Sequence, residues 1–151
     1  MLYPENLESK LKFGKIRNRL KELCLSLLGC QNVDTMSFQT DYEIIVNQLG
    51  EVWEMYTICT SSDVDFPISE FPDLSEAVKR IRIEGLYLEE NELSELCKML
   101  KMVKGVVRFF EVSDESAYPL LKIRCADIPI YPLLIDRIDA MLDKFGRIKD
   151  N

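Results

Sequence analysis

Residues 89–111 read EENELSELCKMLKMVKGVVRFFE, and this stretch decides the fold class. Apolar side chains recur along it every three or four residues, which is the period of an α-helix with one buried face. A helix of this length needs further helices to cover that face. The apolar stripe consists of Leu93, Leu96, Leu100, Val103, Val107 and Phe110.

The other segments show the same period, and none shows sustained strand alternation. Prolines and polar stretches separate them, and the stretch 61–72 is predicted to be a loop. We therefore predict an all-α fold, an antiparallel multi-helix bundle of about six to eight helices, in one domain spanning residues 1–151. The first of the remaining predicted helices covers 11–28, with a stop or kink at Gly29. The next is opened by Thr40 and Glu43 and has an apolar stripe of Ile45, Leu49, Val52, Tyr56 and Cys59. A short helix opened by Asp73 ends near Gly85, and a last one runs from Leu134 to Phe145.

Composition places the chain among ordinary globular domains, with 47% hydrophobic and 30% charged residues. No apolar run approaches the roughly 18 residues that a membrane span needs, and residues 1–6 lack the basic start of a secretory signal. None of the five cysteines forms a C-x-x-C pair, so we expect Cys24, Cys59 and Cys97 to be small buried hydrophobes. These features favour a cytoplasmic protein.

No catalytic, cofactor-binding or metal-binding residue is assigned. The chain has no histidine, and it has neither a G-x-x-x-x-G-K-[ST] loop nor a G-x-G-x-x-G loop. Asp136, Asp139 and Asp143 share one helical face and could hold a cation, but interleaved basic residues favour a solvated surface. Phe109-Phe110-Glu111 matches the F-x-E pattern that wedges a ring against a mispaired base. Because Phe110 belongs to the apolar stripe, we expect it in the core.

Two basic clusters are the candidate binding residues. One lies within residues 10–21 and the other flanks the apolar stripe of the long helix. Such clusters could neutralise phosphates, although a charged row beside a core stripe is commonly only the solvated face. Phe13 is the only aromatic residue within the first cluster and none lies within the second, so no row of stacking rings for single strands is predicted. The candidate DNA-backbone contacts are Lys12, Lys15, Arg19, Lys98, Lys101, Lys104 and Arg108.

The order of several short segments carries a family resemblance. They are YP at 3–4, FGKIR at 13–17, LLG at 27–29, FP at 66–67, AVKRIRIEG at 77–85, IDRID at 135–139 and LDKFGRIKDN at 142–151. This order resembles the N-terminal helical core, or lever, segment of MutS-like DNA repair ATPases, specifically the MutS-II branch of Bacteroides-type bacteria. The resemblance extends over essentially the whole chain.

The resemblance implies that the chain is an excised N-terminal fragment and part of a larger MutS-like core. A coiled-coil clamp, an ATPase domain that binds ATP and Mg²⁺, and in many members a nuclease domain would follow. Such parents form homodimers, act as DNA-dependent ATPases and bind mismatched or branched DNA, with links to mismatch repair, recombination control or ribosome rescue. The enzymatic residues would all lie downstream, so the fragment itself is expected not to be an enzyme. The alternative is a free-standing helical module that binds a protein partner.

Overall fold

The computed structural model describes residues 7–149 and divides the chain into two compact units. The small unit contains residues 7–38 and 70–73, and the large unit contains residues 39–69 and 74–149. In this described range all the named elements are helices, and a single isolated antiparallel bridge pairs Leu142 with Ile148. The helices are α1 (Leu7–Lys10), α2 (Phe13–Glu22), α3 (Leu27–Thr35), α4 (Tyr42–Thr60), α5 (Ser75–Arg80), α6 (Glu90–Val112), α7 (Pro119–Cys125) and α8 (Pro132–Met141). The all-α prediction is confirmed.

The small unit is three short helices, not the single helix that we predicted over residues 11–28. Lys12 adopts a left-handed conformation, with φ of 55°, and separates α1 from α2. Ser26 then starts α3, because its extended backbone lets the hydroxyl accept the N–H of Gly29 at 3.1 Å. Gly29 therefore lies in the first turn of α3, and the predicted stop or kink at this residue was wrong.

Arg17 holds these three helices together. Its guanidinium donates to the Glu8 carboxylate of α1 at 2.6 Å and to the backbone carbonyls of Val33 and Met36 near the end of α3. The guanidinium carbon lies 5.3 Å from the centre of the Phe13 ring, within range of a cation–π contact. The Arg17 side chain is only 15% exposed, so this residue is a structural centre of the small unit.

Helix α6 is the central element of the large unit, and it packs against α7 and α8. Cys97 of α6 forms a buried cluster with Ile135, Ile138 and Leu142. Lys101 pairs with Asp139, while Glu90 accepts the N–H of Ile148 at 2.6 Å. Because residues earlier in α6 meet residues later in the last segment, the two run antiparallel, as the bundle prediction requires. Leu93, Leu96 and Leu100 are partly buried against this cluster.

The last helix is shorter than predicted, since α8 ends at Met141 and does not continue to Phe145. The Asp143 carboxylate accepts the N–H groups of Phe145 and Arg147 at 2.8 and 2.9 Å, which satisfies amides that a continued helix would have bonded differently. Gly146 follows with a φ of 78°. The chain then turns back, so that Ile148 can reach α6.

Helix α4 starts one residue later than predicted. Asp41, not Thr40, is the N-cap, and its carboxylate accepts the N–H groups of Glu43 and Ile44 at 2.9 and 3.1 Å. The predicted stripe does not face the core either. Ile58 is buried, whereas the side chains at 49, 52, 56 and 59 are all exposed. The third predicted helix likewise begins at Ser75 and ends at Arg80, before Gly85.

Helix α7 depends on α4 for its N-terminal cap. Tyr118 precedes α7 in a left-handed conformation and provides no side-chain cap. Instead, the Glu54 carboxylate of α4 accepts the N–H groups of Leu120 and Leu121 at 3.1 and 2.9 Å. A carboxylate at this end also complements the helix dipole. One turn earlier in α4, Gly50 lies so close to Leu120 that a Cβ atom would clash with that side chain.

None of the helices in residues 7–149 is both long enough and apolar enough to cross a membrane. The single-domain prediction and the fragment prediction for residues 1–151 stay predictions.

We expect Glu54→Ala to destabilise the large unit by about 1 kcal/mol, the usual cost of removing a helix cap. The change leaves two N–H groups of α7 without their acceptor. Urea unfolding followed by circular dichroism measures it, with Glu84→Ala, an exposed glutamate in a turn, as the matched control. Equal unfolding midpoints for the two variants would contradict the cap.

Candidate nucleic-acid interface

The candidate cations of the small unit lie along one side of α2. Lys15 and Arg19 are one helical turn apart, and Lys12 sits at the N-cap position. Arg19 pairs with Glu22 of the same helix at 2.7 Å, so part of its charge is offset. Lys12 and Lys15 are exposed and make no ion pair with any residue of the described range. These two lysines are therefore the cations of α2 that are available to a phosphate.

Two other cations of the same cluster are already engaged. Arg17 is directed inward, as described above. Lys21 forms an ion pair with Asp34 of α3. The run of six positive charges in residues 10–21 is thus not one continuous basic surface, because Arg17 and Lys21 hold the small unit together.

The α6 row divides in the same way. Lys98 pairs with Glu95 at 2.7 Å, and Lys101 pairs with Asp139 of α8. The hydrogen bond to Asp139 raises the pKa of Lys101, and this ion pair between α6 and α8 offsets part of the lysine's charge. Lys104 is half-buried and Arg108 is exposed, and within residues 7–149 neither forms an ion pair. The available cations of α6 are Lys104 and Arg108.

The acidic row that we considered as a cation site is not assembled. Asp139 pairs with Lys101, while Asp143 lies beyond the end of α8 and stabilises the turn that follows. Asp136 remains on the exposed side of α8. Across the part of the chain that the structure describes, no three His, Cys, Asp or Glu side chains are placed to hold a metal ion.

The F-x-E segment is part of the core, which confirms its structural interpretation. Phe110 is 5% exposed, and Phe109 stacks on Tyr118 with ring centres 6.0 Å apart. Phe66 contacts both phenylalanines edge-on, at 5.1 and 5.9 Å. Neither ring is available to insert beside a base.

The cysteine predictions are only partly confirmed. Cys97 is buried, and this burial raises the pKa of its thiol. Cys59 is exposed, so its predicted burial was wrong, because it lies on a face of α4 that no helix within residues 7–149 covers. Cys24 is half-buried, and burial together with the neighbouring Cys30 raises its pKa. A raised pKa disfavours the thiolate, which is the reactive form of a cysteine.

The structure also contains a cleft between α6 and α7, of about 290 Å³. Among the described residues that line it, Lys122 is the only cation, and its ammonium already donates to the backbone carbonyls of Ser113 and Asp114 at the C-terminal end of α6. Its role there is helix capping. The cleft is lined by Val107, Phe110, Glu111, Lys122, Cys125 and Ala126, a set without a paired acid and base.

Sequence reasoning missed Glu51 and Glu54, the residues that join α4 to α7. Glu51 pairs with Arg124 at 2.9 Å, and Glu54 caps α7. Their partners lie 66 to 73 residues away along the chain. A local sequence pattern cannot predict a contact between residues so far apart along the chain. The only available signal was a pair of acidic residues on the side of α4 opposite its apolar stripe.

Among curated proteins the chain is similar to endonuclease MutS2 of several bacteria. It is 26% identical over 144 residues to the Leuconostoc mesenteroides protein, 24% over 139 residues to that of Streptococcus uberis, and 26% over 144 residues to that of Staphylococcus carnosus. The alignments cover 92–93% of this chain but 18% of each relative, so the chain spans less than a fifth of their length.

No family model matches the chain, and no solved structure matches it. The similarity to MutS2 proteins is therefore a distant one that extends over nearly the whole chain. It agrees with the MutS-like resemblance of the sequence. The more specific expectation of a Bacteroides-type MutS-II protein stays a prediction.

We expect the Asp143 turn to make stability depend on pH. Hydrogen bonds from the backbone N–H groups of Arg147 and Phe145 hold the pKa of Asp143 below its ordinary 3.8. A lowered folded-state pKa gives stability that is present above the ordinary pKa and is lost as the pH falls through the lowered value. Asp143→Asn should therefore unfold more easily than the unmodified chain at pH 7, and the difference should shrink as the pH falls from 3.8 through the lowered pKa of Asp143.

Thermal unfolding between pH 2.5 and 7 measures this difference. Asp136→Asn is the matched control, since within the described residues its carboxylate accepts no hydrogen bond. A difference for Asp143→Asn that is the same at every pH would show that the carboxylate charge does not stabilise the turn.

Proposed function

We propose that this chain is the N-terminal helical core, or lever, region of a MutS2-like DNA repair protein. The observation that carries the proposal is the similarity to endonuclease MutS2 of several bacteria over nearly the entire chain. The order of short segments along the sequence supports it. In this role the chain provides structure and phosphate contacts, and catalysis belongs to the rest of the parent protein.

In this proposal helix α6 is the lever. At 1.5 Å per residue its 23 residues are about 34 Å long. A capping box of Glu89 and Glu92 fixes its N-terminal end, and Lys122 binds the carbonyls beyond its C-terminal end. Packing against α7 and α8 braces its length. A helix fixed in this way can transmit a displacement from one end to the other without bending.

The available cations supply the proposed DNA contacts. Lys12 and Lys15 on α2, and Lys104 and Arg108 on α6, would each neutralise a backbone phosphate. Such contacts position a protein on DNA without reading its sequence. Arg19, Lys98 and Lys101 contribute less, because each is already paired with a carboxylate.

The parent protein would supply what this chain does not. We propose that its partners are mismatched or branched DNA, the remaining domains of the same polypeptide and a second subunit. ATP and Mg²⁺ would bind a downstream ATPase domain, and a nuclease domain could follow. The coding sequence after Asn151 tests this directly. The proposal requires several hundred further residues that include a G-x-x-x-x-G-K-[ST] loop, and an immediate stop codon would overturn it.

A free-standing protein-binding module is the second candidate function. The net charge of −7 disfavours a protein whose whole surface binds nucleic acid. The specific observation in its favour is the broad apolar face of α4, where Leu49, Val52 and Trp53 are all more than 60% exposed. Surfaces of this composition are typical of protein interfaces.

We expect Lys104→Glu combined with Arg108→Glu to weaken DNA binding by roughly tenfold near 50 mM salt and to reduce the slope of log K against log salt by about two. The reason is that each substitution leaves one phosphate without its neutralising cation. Fluorescence anisotropy with a labelled branched duplex measures both quantities. The pair Lys12→Glu and Lys15→Glu is expected to act in the same direction.

The control is Arg82→Glu combined with Lys144→Glu, which changes the net charge by the same amount at exposed positions outside the candidate set. If the candidate pairs and the control weaken binding equally, the effect is one of net charge alone. If none of the variants weakens binding, the proposed phosphate contacts are wrong. The structural role in a MutS2-like protein is tested separately, by the coding sequence after Asn151.

A further inference from the structure

Two of the five cysteines lie together at the corner between α2 and α3. Cys24 follows the C-terminal end of α2, and Cys30 is in the first turn of α3. The Cys24 thiol donates to the backbone carbonyl of Leu20, with 3.3 Å between sulfur and oxygen. The Cys30 thiol is directed at the carbonyl of the next residue, Lys21, with 3.7 Å between sulfur and oxygen. Because these carbonyls belong to consecutive residues, both sulfur atoms are held at the same end of α2.

The backbone of the corner brings the start of α3 back onto Cys24. Ser26 caps α3 by accepting the N–H of Gly29, which fixes the first turn of that helix. Gly29 is the point of contact, because a Cβ atom there would lie 3.4 Å from both the Cβ and the Sγ of Cys24. Cys30 is the residue that follows this contact. The chain therefore places its thiol beside that of Cys24.

The two thiols also influence each other. Burial raises the pKa of Cys24, and so does a hydrogen bond with the Cys30 thiol, which shows that the two side chains are in contact. A dithiol with a strongly stabilised thiolate favours its reduced form and gives a disulfide that is easily reduced. The raised pKa of Cys24 is the opposite case, so nothing in its surroundings favours the reduced form in that way.

The pair is accessible as well as close. Cys24 and Cys30 are both half-buried, so a small oxidant can reach them, whereas Cys97 is buried in the large unit. In proteins of reducing compartments, disulfides are mostly transient and form in response to a change of redox state. Sites of this kind commonly combine an accessible cysteine with a second cysteine beside it.

We propose that Cys24 and Cys30 are a reversible redox site, a dithiol that closes to an intramolecular disulfide between the end of α2 and the first turn of α3. The oxidant is a small disulfide of the glutathione class. The site depends only on contacts within the small unit, so it goes beyond the proposed function and does not require it.

The reaction proceeds by two thiol–disulfide exchanges. The thiolate of one cysteine attacks a sulfur of the oxidant, forms a mixed disulfide and releases the first small thiolate with the electron pair of the broken bond. The second cysteine loses its proton, attacks the cysteine sulfur of the mixed disulfide and releases the second small thiolate. The two protons lost by the cysteines are taken up by the two thiolates that leave. One disulfide is thus reduced to two thiols while two cysteine thiols are oxidised to one disulfide.

Closure of the disulfide changes the end of α2. The bonded sulfur atoms carry no hydrogen, so the carbonyls of Leu20 and Lys21 each lose a thiol donor. A covalent link to α3 replaces these hydrogen bonds.

Equilibration of the full chain with mixtures of reduced and oxidised glutathione tests the proposal. Free thiols are then trapped with N-ethylmaleimide, and cleavage after glutamate residues gives the peptide 23–43, which contains Cys24 and Cys30 but not Cys59. We expect this peptide to lose the mass of two hydrogen atoms and to take up no maleimide. At about 1 mM glutathione the bonded peptide should exceed its glutathione adduct at least about tenfold, because a thiol held beside its partner has a far higher effective concentration than the buffer.

Three variants and one change of solvent are the controls. Cys24→Ser and Cys30→Ser should each accumulate glutathione on the remaining cysteine, since no second thiol can displace it. Cys59→Ser should form the bond as the unmodified chain does, and circular dichroism checks that all three variants are folded. Concentrated urea should lower the bonded fraction several-fold, because the fold holds the two thiols together.

Three results would overturn the redox site. The first is a folded chain that accumulates glutathione adducts, or unmodified thiols, in place of the bonded peptide under oxidising conditions. The second is a bonded fraction in urea that equals or exceeds that of the folded chain. The third is a disulfide from Cys24 or Cys30 to Cys59 in place of the bond between them.

Discussion

Helix α6 must cover an apolar stripe along its length, and the arrangement of the large unit depends on how it does so. Toward its N-terminal half, Cys97 packs with Ile135 and Ile138 of α8. Toward its C-terminal end, Phe110 packs among aromatic rings contributed by Phe66 and Tyr118. One neighbour could not cover both halves, because α6 is longer than either α7 or α8. The need to cover the C-terminal end of α6 therefore also positions the loop segments that carry Phe66 and Tyr118.

Polar contacts over long sequence separations complete the fold. Glu54 caps α7, Arg17 binds carbonyls near the end of α3, and Glu90 accepts an amide from the turn after α8. In each case a charged side chain binds backbone groups that a helix end or a turn leaves without partners. A charged acceptor or donor makes these bonds stronger than neutral ones. These hydrogen bonds fix the direction of the chain at points where apolar packing alone would allow several directions.

Periodicity was sufficient to predict the helical fold and the position of α6, because both follow from local spacing. Pro119 and Pro132 are the first residues of α7 and α8, since proline fits the first helical turn, but we predicted no helix at α7 and began the last helix only at Leu134. The break between α1 and α2 was not predictable, because Lys12 adopts its left-handed conformation without a glycine signal. The orientation of α4 was missed for another reason. A period identifies a stripe, and it does not say whether anything covers the stripe.

The candidate cations show the same limit of local patterns. Seven basic residues stand at equivalent-looking positions in the sequence, yet Lys101 is paired with an aspartate 38 residues away, and Arg19 with a glutamate three residues away. Arg17, outside that set, is withdrawn into the small unit. Whether a lysine is available to a phosphate is thus decided by its tertiary partners.

Net charge is an equally poor guide to which surfaces can bind a charged ligand. A chain with a total of −7 can present unpaired cations on α2 and α6 and a nearly uncharged face on α4, because binding responds to the local field within about 10 Å, the distance over which salt screens a charge.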